Sequence, residues 1–431
     1  MKSIIFAVLL GCALGLWIHF RRPTDSATTL RFRYWGDMEE IQLIEDLVKQ
    51  FEAGHPGVKI KPERKPADRN YADLLLTEFA SQSAPDVIFI STNDFTQFVG
   101  PGKFMALDAR LAAEPGLKKG DYYASMVSNF SRGGKLFALP RDVAPVACIY
   151  YNKALFDQAH LSYPKDSWTW EEFRQDAIRL TKRDERGNAQ QLGFADEWNL
   201  YESWMLSAGG GMVDDYLKPR RLVADSPAGL AGIRFRQKLA LEDKVMPLAA
   251  DNQSLNSGPT GLFLNGTLAM LHSGIWKTPG FRKISNFDWD IAYLPKGPGG
   301  KRNFPAGGSG YAISADTKKG DLSWQFVKFM AGPEGQRKLA GSGLIQPALK
   351  SLARSPAFLD GQKPKNKKFL VEAAELGVPQ PQMERWQEYI TSVWNPITDP
   401  IWMAGATPAD VDKLVHEAVK QGYEKGFFKK D

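Results

Sequence analysis

The residues in this sequence best able to recognise another molecule are aromatic rings beside carboxylates and amides. Trp35 stands two residues before Asp37, and Asn93 stands beside Asp94. An indole covers an apolar C–H face. A carboxylate accepts from hydroxyls, and a carboxamide both donates and accepts. That set suits a molecule with apolar faces and a polar rim. The 12 Trp residues are many for 431 positions; a large ring with one donor suits a cleft, although core filling accounts for most of them.

Bond-making chemistry has weaker support. The five histidines are His19, His55, His160, His272 and His416, and none pairs at metal-ligand spacing. HExxH, CxxC, GxSxG and a phosphate loop ending in GK[ST] are all missing from the sequence. Gly307-Gly308-Ser309-Gly310 lacks the lysine and helix start of a phosphate loop. No cofactor or metal is therefore expected, and no enzyme. A glycosidase needs only two carboxylates at a suitable separation, so a secreted carbohydrate-active enzyme stays open as the second reading. A binding receptor feeding a sensor is a third.

Composition narrows the partners. Lys and Arg number 55 against 49 Asp and Glu, a net charge of +6 with both signs interspersed. The densest basic run, Lys363 to Lys368, is interrupted by Pro364 and Asn366, so no nucleic-acid partner is expected. The two cysteines are Cys12 and Cys148, which makes a structural disulfide improbable. Lys2, an apolar run from Ile4 to Phe20, and Arg21-Arg22 mark residues 1–22 as a signal peptide or membrane anchor. Leu9-Leu10-Gly11-Cys12 resembles a lipoprotein cleavage box with Cys12 as the lipidated residue. Cleaved signal, lipidated Cys12 and uncleaved anchor all place the rest of the chain in the periplasm or at the outer face of the cytoplasmic membrane.

The elements that must position these residues follow from periodicity. Leu30 to Tyr34 alternates as a strand does, and Gly36-Asp37 breaks it. Asp37 and Glu40 have capping-box spacing, and Ile41, Ile44, Val48 and Phe51 repeat at helical spacing. A short strand at Val58 to Lys61, a helix over Asn70 to Gln82 and an apolar strand at Val87 to Ile90 complete a parallel α/β layer. Ligands sit beyond the carboxyl ends of such strands, which puts Trp35 to Asp37 and Ser91 to Asp94 at one rim. Further on, Thr169 with Glu172 caps a helix to about Arg183, and Leu262 to Trp276 mixes a short helix with a strand. Pro295 to Gly310 reads as a long loop, Asp321 to Met330 as a helix, and Thr407 to Asp410 as the start of the last helix.

Five segments in order resemble the family 1 extracellular solute-binding proteins of ABC transporters, whose members include maltodextrin and other sugar binders. They are LRFRYWGDMEEIQLIEDLVKQFEAGHPGVKI, APDVIFISTNDFTQFVGPGKFMALD, GGKLFALPRDVAPVACIYYNKALFDQA with SWTWEEF, FLNGTLAMLHSGIW, and GGSGYAISADTKKGDLSWQFVKFMAGPEGQRKLA. The resemblance covers nearly the whole chain from Leu30. It implies an α/β, type II periplasmic binding protein fold: two lobes around a ligand cleft, with several chain crossings. The first lobe is expected over 28–141 plus 277–341 and the second over 142–276 plus 342–431. Crossings are expected near Arg141 to Val146, Ser273 to Lys277 and Gly341. The implied partners are a carbohydrate or polyol, the transmembrane subunits of an ABC permease, and the membrane through the N-terminal segment. A monomer is expected, because hinge closure needs two free lobes.

Carried over by resemblance, the ligand residues are Trp35, Asp37, Asn93, Asp94, Asp142, Tyr201, Trp204, Trp276, Gly308, Tyr311 and Trp386. A plainer role competes for most. Trp35 could be a strand-end core residue, Asp37 and Asp94 could be helix caps, and Asp142 could belong to a hinge salt bridge. Tyr201 and Trp204 could pack inside the second lobe.

Overall fold

The computed structural model describes residues 28–65, 70–197, 200–247, 258–402 and 407–429. The 1–22 segment and its Cys12 lie outside the described residues. Among the described residues, no helix is long and apolar enough to cross a membrane.

The chain begins with strand β1 (Thr28–Tyr34), helix α1 (Met38–Gly54), β2 (Val58–Arg64), α2 (Asn70–Ala80), β3 (Val87–Ser91) and α3 (Thr92–Val99). Asp37 caps α1 by accepting from the Glu40 amide at 3.1 Å. Ile44, Leu47, Val48 and Phe51 form the stripe that α1 buries. Val87 to Ile90 are all buried, as a strand covered on both faces requires. Then come β4 (Ala138–Pro140), β5 (Asp142–Pro145), β6 (Cys148–Asn152), α4 (Trp170–Arg179), β7 (Lys182–Arg183) and β8 (Ala189–Asp196). The capping box of Thr169 and Glu172 opens α4 as expected, but the helix stops at Arg179 because 182–183 join the sheet. Helices α5 (Tyr201–Ser207) and α6 (Pro227–Leu241) and strands β9 (Leu268–Ser273) and β10 (Trp289–Tyr293) follow. The remainder includes β11 (Ala306–Gly307), β12 (Ser309–Ile313), α7 (Gly320–Ala331), α8 (Pro333–Gly341), β13 (Gln346–Pro347), α9 (Trp386–Tyr389) and α10 (Pro408–Glu424).

Two five-stranded sheets result. The first has the order β2-β1-β3-β12-β4 and the second β10-β6-β9-β8-β7. In the first, β1 runs parallel to β2 and β3, while β12 is antiparallel to β3. In the second, β8 and β9 are parallel, and β6 is antiparallel to both β9 and β10. One apolar cluster spans both sheets. A second, around Met205, Tyr389, Trp394 and Val415, gives the helical end of the second lobe its own core.

The three strands that cross between lobes form a small antiparallel sheet in which β5 pairs with β11 on one side and β13 on the other. This corrects the expected boundaries. Trp289 to Tyr293 pair with Asn152 to Cys148 inside the second sheet, so residues from 277 to about 305 belong to the second lobe. The return crossing lies at Ala306–Gly307 and not at Ser273 to Lys277. Ladder hydrogen bonding decided this, and a Gly/Pro-rich loop before β11 hides it from sequence. The third crossing falls at Gln346–Pro347, just past Gly341.

A buried ion network holds the first crossing. The Arg141 guanidinium donates to Glu40 at 2.6 Å and to Asp142 at 2.7 Å. Asp142 also accepts from the Ser309 amide at 2.8 Å and its hydroxyl at 2.6 Å. Burial works against the Arg141 charge, but Asp142 and Glu40 outweigh it and hold the group above its ordinary value. Asp142, expected at the ligand, therefore spends its oxygens inside the hinge. Gly308 follows β11 here, and a Cβ on it would lie 2.6 Å from the Asp142 carbonyl oxygen. The backbones pass too close for a side chain, so Gly308 is a packing glycine.

Arg141→Ala would leave the Glu40 and Asp142 carboxylates buried without their cation. Urea unfolding is expected to show a loss of about 3–5 kcal/mol, the usual cost of breaking a buried pair from one side. A loss under about 1 kcal/mol would show that the network does not hold the hinge.

Candidate functional site

The edge of each sheet nearest the crossings faces the other lobe. On the first sheet that edge carries the carboxyl ends of β1 and β3, the end of β4 and the start of β12. Trp35 to Asp37, Ser91 to Asp94 and Gly307–Gly308 lie there. On the second sheet it carries the carboxyl ends of the parallel pair β8 and β9, where Asp196 pairs with His272. Glu197 and Ser273 to Lys277 follow those ends. Carboxyl ends of parallel strands from two lobes, brought face to face by one hinge, form the candidate cleft.

On the first-lobe edge, Trp35 is half-buried. Its indole stacks on Phe89 at 4.1 Å and meets Tyr71 edge-on at 4.7 Å. The Arg141 guanidinium also lies on the Phe89 ring, at 4.3 Å. The hinge cation and the cleft indole thus pack on one phenyl ring. Asp37 is exposed at the cap of α1. Glu40 has the spacing to complete a capping box but is recruited by Arg141 instead. Asn93 is exposed in the first turn of α3. Asp94 is half-buried and accepts from the Ser91 hydroxyl at 2.8 Å; burial pushes its carboxyl up despite that bond. Ser91 in turn caps α3 by accepting from the Asp94 amide at 3.1 Å.

On the second-lobe edge, Trp276 is half-buried and folds back over Gly274. A Cβ on Gly274 would lie 1.8 Å from the indole, so glycine there makes room for the ring. Glu197 is nearly buried. It accepts from the Ser273 hydroxyl at 2.6 Å and the Thr260 hydroxyl, and pairs with Lys277 at 3.1 Å. Beside it, Asp196 takes Arg236 through two bonds of 2.7 Å. Arg236 also covers the Trp402 ring at 4.6 Å, and Tyr201 stacks on that ring at 5.5 Å. Sequence reasoning missed Glu197, Ser273 and Lys277. Gln190 and Gln191 blur the alternation of β8, so its end, and the acid that follows it, carried no signal.

Other expected contacts lie in cores. Trp204 has no exposed surface and packs on Trp170, Phe173 and Phe235 at 5.7, 5.4 and 5.2 Å. Tyr311 is likewise fully buried, against Phe32 and Phe89 at 5.8 and 5.3 Å. Trp386 is buried in the second apolar cluster beside Tyr389 at 5.6 Å. Tyr201 packs between Trp394 and Trp402. The segment before Trp386 links both lobes: Arg132 donates to the Gln382 carbonyl at 3.0 Å, and the Gln382 amide to that of Tyr216 at 2.7 Å. No cluster of His, Cys, Asp and Glu suited to a metal occurs among the described residues.

The bacterial extracellular solute-binding protein family matches residues 35–337. A galactooligosaccharide-binding protein of Bacillus subtilis (strain 168) is 24% identical over 394 residues, covering 90% of this chain and 87% of the relative. Among solved structures, an ABC substrate-binding protein of Listeria monocytogenes in complex with cycloalternan superposes with a TM-score of 0.82 at 22% identity, covering 94% of this chain and 100% of that one. A Mycobacterium tuberculosis protein in complex with glycerophosphocholine does so with a TM-score of 0.74 at 19% identity, covering 92% and 99%. At these identities the structural likeness is one of fold.

One acid in the second lobe is held well above the usual carboxylate range. Glu202, next to Tyr201, accepts from the Tyr216 hydroxyl at 2.9 Å, and burial pushes it up to about 7. Its folded value lies above its unfolded one, so the protonated form stabilises the fold fully at low pH, and that contribution is lost as pH rises through 7. Glu202→Gln should therefore unfold at a higher urea concentration than the parent at pH 8, by about 1–3 kcal/mol, and match it near pH 5. Equal pH profiles would show that Glu202 is solvated.

Proposed function

This chain belongs to the bacterial extracellular solute-binding proteins, and we propose that it is the capture component of an ABC importer for a sugar or sugar-like polyol. The observation that carries this reading is the pair of half-buried indoles, Trp35 and Trp276, one on the hinge-facing edge of each lobe. Polar groups lie near each: Asp37, Asn93 and Asp94 follow the strand ends on one side, and a buried network of Glu197, Ser273 and Lys277 lies on the other. Rings that cover apolar faces and polar groups that orient a rim are what a pyranose needs. The galactooligosaccharide-binding relative supports an oligosaccharide among the possibilities.

In this reading the lobes close about β5, β11 and β13, enclosing the ligand by a hinge motion. The closed form then delivers it to permease subunits in the membrane, to which the segment 1–22 tethers the protein as a monomer. The site holds its ligand and does not turn it over.

A thermal-shift screen of the full chain in mild detergent tests this. A sugar at about 100 times its dissociation constant should add about 2.7 kcal/mol of stability, with no product formed. A consumed sugar would support a carbohydrate-active enzyme instead, and silence across all sugars and polyols would sink the sugar reading. Trp35→Ala and Trp276→Ala should each weaken binding of the sugar that registers by about 10–100-fold without unfolding the protein. Unchanged affinity in either, measured by calorimetry, removes that ring from the site.

A further inference from the structure

Outside the three crossings the lobes also grip each other through two adjacent cations. Arg282 and Lys283 follow the short helix Thr278–Phe281 of the second lobe, close after Trp276. Both reach the first lobe. The Arg282 guanidinium donates to the Ser342 carbonyl at 2.8 Å and the Gly341 carbonyl at 3.4 Å, at the end of α8. The last carbonyls of a helix have no partner within it and carry its negative pole, so a cation suits that end. From its own lobe Arg282 is held by the Lys363 carbonyl at 2.7 Å and by Asp360 at 3.3 Å. Lys283 pairs with Glu39 in the first turn of α1. That bond holds the Glu39 carboxyl below its ordinary value. The acids on either side have other duties: Asp37 caps α1, and Glu40 is taken by Arg141.

Resting on the hinge closure in the reading above, we propose that Arg282 and Lys283 form a latch between the lobes. Its bonds hold the lobes in this arrangement and break when they part, and the Glu39–Lys283 pair is its salt-sensitive half. Turning one lobe away from the other lengthens every contact that joins them outside the crossing strands. Glu39 moves with α1, whose Glu40 is tied to Arg141 at the first crossing. Lys283 moves with Arg282, which Asp360 and Lys363 fix to the second lobe. The side chains of Glu39 and Lys283 are 33% and 69% exposed, so their pair has the strength of a surface ion pair and changes the balance a few-fold. A weak bond is what a latch requires, because a strong one would trap the solute. The latch acts on the lobes and not on the solute, so it slows the release of every solute by the same factor.

The test uses the full chain in detergent with Cys12→Ser, and with cysteines placed at exposed Lys61 of the first lobe and Arg186 of the second. Cys148 is buried and escapes labelling. Spin labels on the two new cysteines report the spread of lobe distances by pulsed electron resonance, without any solute. Lys283→Ala is expected to raise the ratio of parted to joined lobes by about 2–5-fold, and Lys283→Glu by more. High salt should move the parent in the same direction, which tests the pair even where a variant fails to fold. Glu39→Lys combined with Lys283→Glu should recover most of the shift. Maltotriose and galactooligosaccharides serve as solute probes; each that binds should leave Lys283→Ala about 2–5-fold faster than the parent, by one common factor. Lobe distances that stay unchanged in Lys283→Glu and in high salt overturn the latch. A shift that the reversed pair does not recover overturns the role of the ion pair. Faster release of one sugar alone makes Lys283 a solute contact and also overturns the latch. Neither sugar binding, with the distance shift intact, supports the latch and counts against the sugar reading beneath it.

Discussion

The buried guanidinium of Arg141 is the constraint on which the rest of this structure depends. It stands where the chain leaves the first lobe, bonded to Glu40 at the start of α1 and to Asp142 in the hinge strand. Asp142 carries the tie onward to Ser309, where the chain re-enters the first sheet. Two of the three crossings are thereby joined through one cation. A buried charge of this kind costs free energy unless all its partners are present, so the geometry of the crossing is set by mutual need.

The same cation also packs towards the candidate cleft. It lies on Phe89, and Trp35 stacks on that ring. The half-buried indole is thus positioned by packing that begins in the hinge. On the opposite lobe Trp276 depends on a different device, the missing side chain of Gly274, which lets the ring fold down beside the end of β9. Both edges place an aromatic surface next to hydrogen-bonding groups that are fixed by local caps or short polar networks. Rigid placement of this sort lowers the entropic cost of taking up a ligand.

Aromatic residues serve two ends in this chain, and burial separates them. Trp204, Tyr311 and Trp386 are spent on cores. The helical end of the second lobe needs its own apolar cluster because it projects from its sheet, and Tyr389, Trp394 and Trp386 supply it. Trp35 and Trp276 follow strand ends and have fewer neighbours to bury them. A count of tryptophans carries no information about this division, since each ring has the same chemistry in either place.

The sequence by itself determined the α/β layering, the strand-helix-strand opening, the helix caps at Asp37 and Thr169, and the two-lobed family. These rest on interactions between residues close in the chain, or on periodicities that a local window displays. The rim at Trp35 to Asp37 and Ser91 to Asp94 was legible for the same reason, because each follows a strand whose end could be read. Only the tertiary structure decided that β10 pairs with β6 and so belongs to the second lobe, that Asp142 is bonded within the hinge, and that Glu197 and Lys277 meet. Those outcomes join residues from 80 to 167 positions apart. Ladder pairing and buried charge balance act between residues that neither spacing nor composition links, and so they become visible only when the fold brings the partners together.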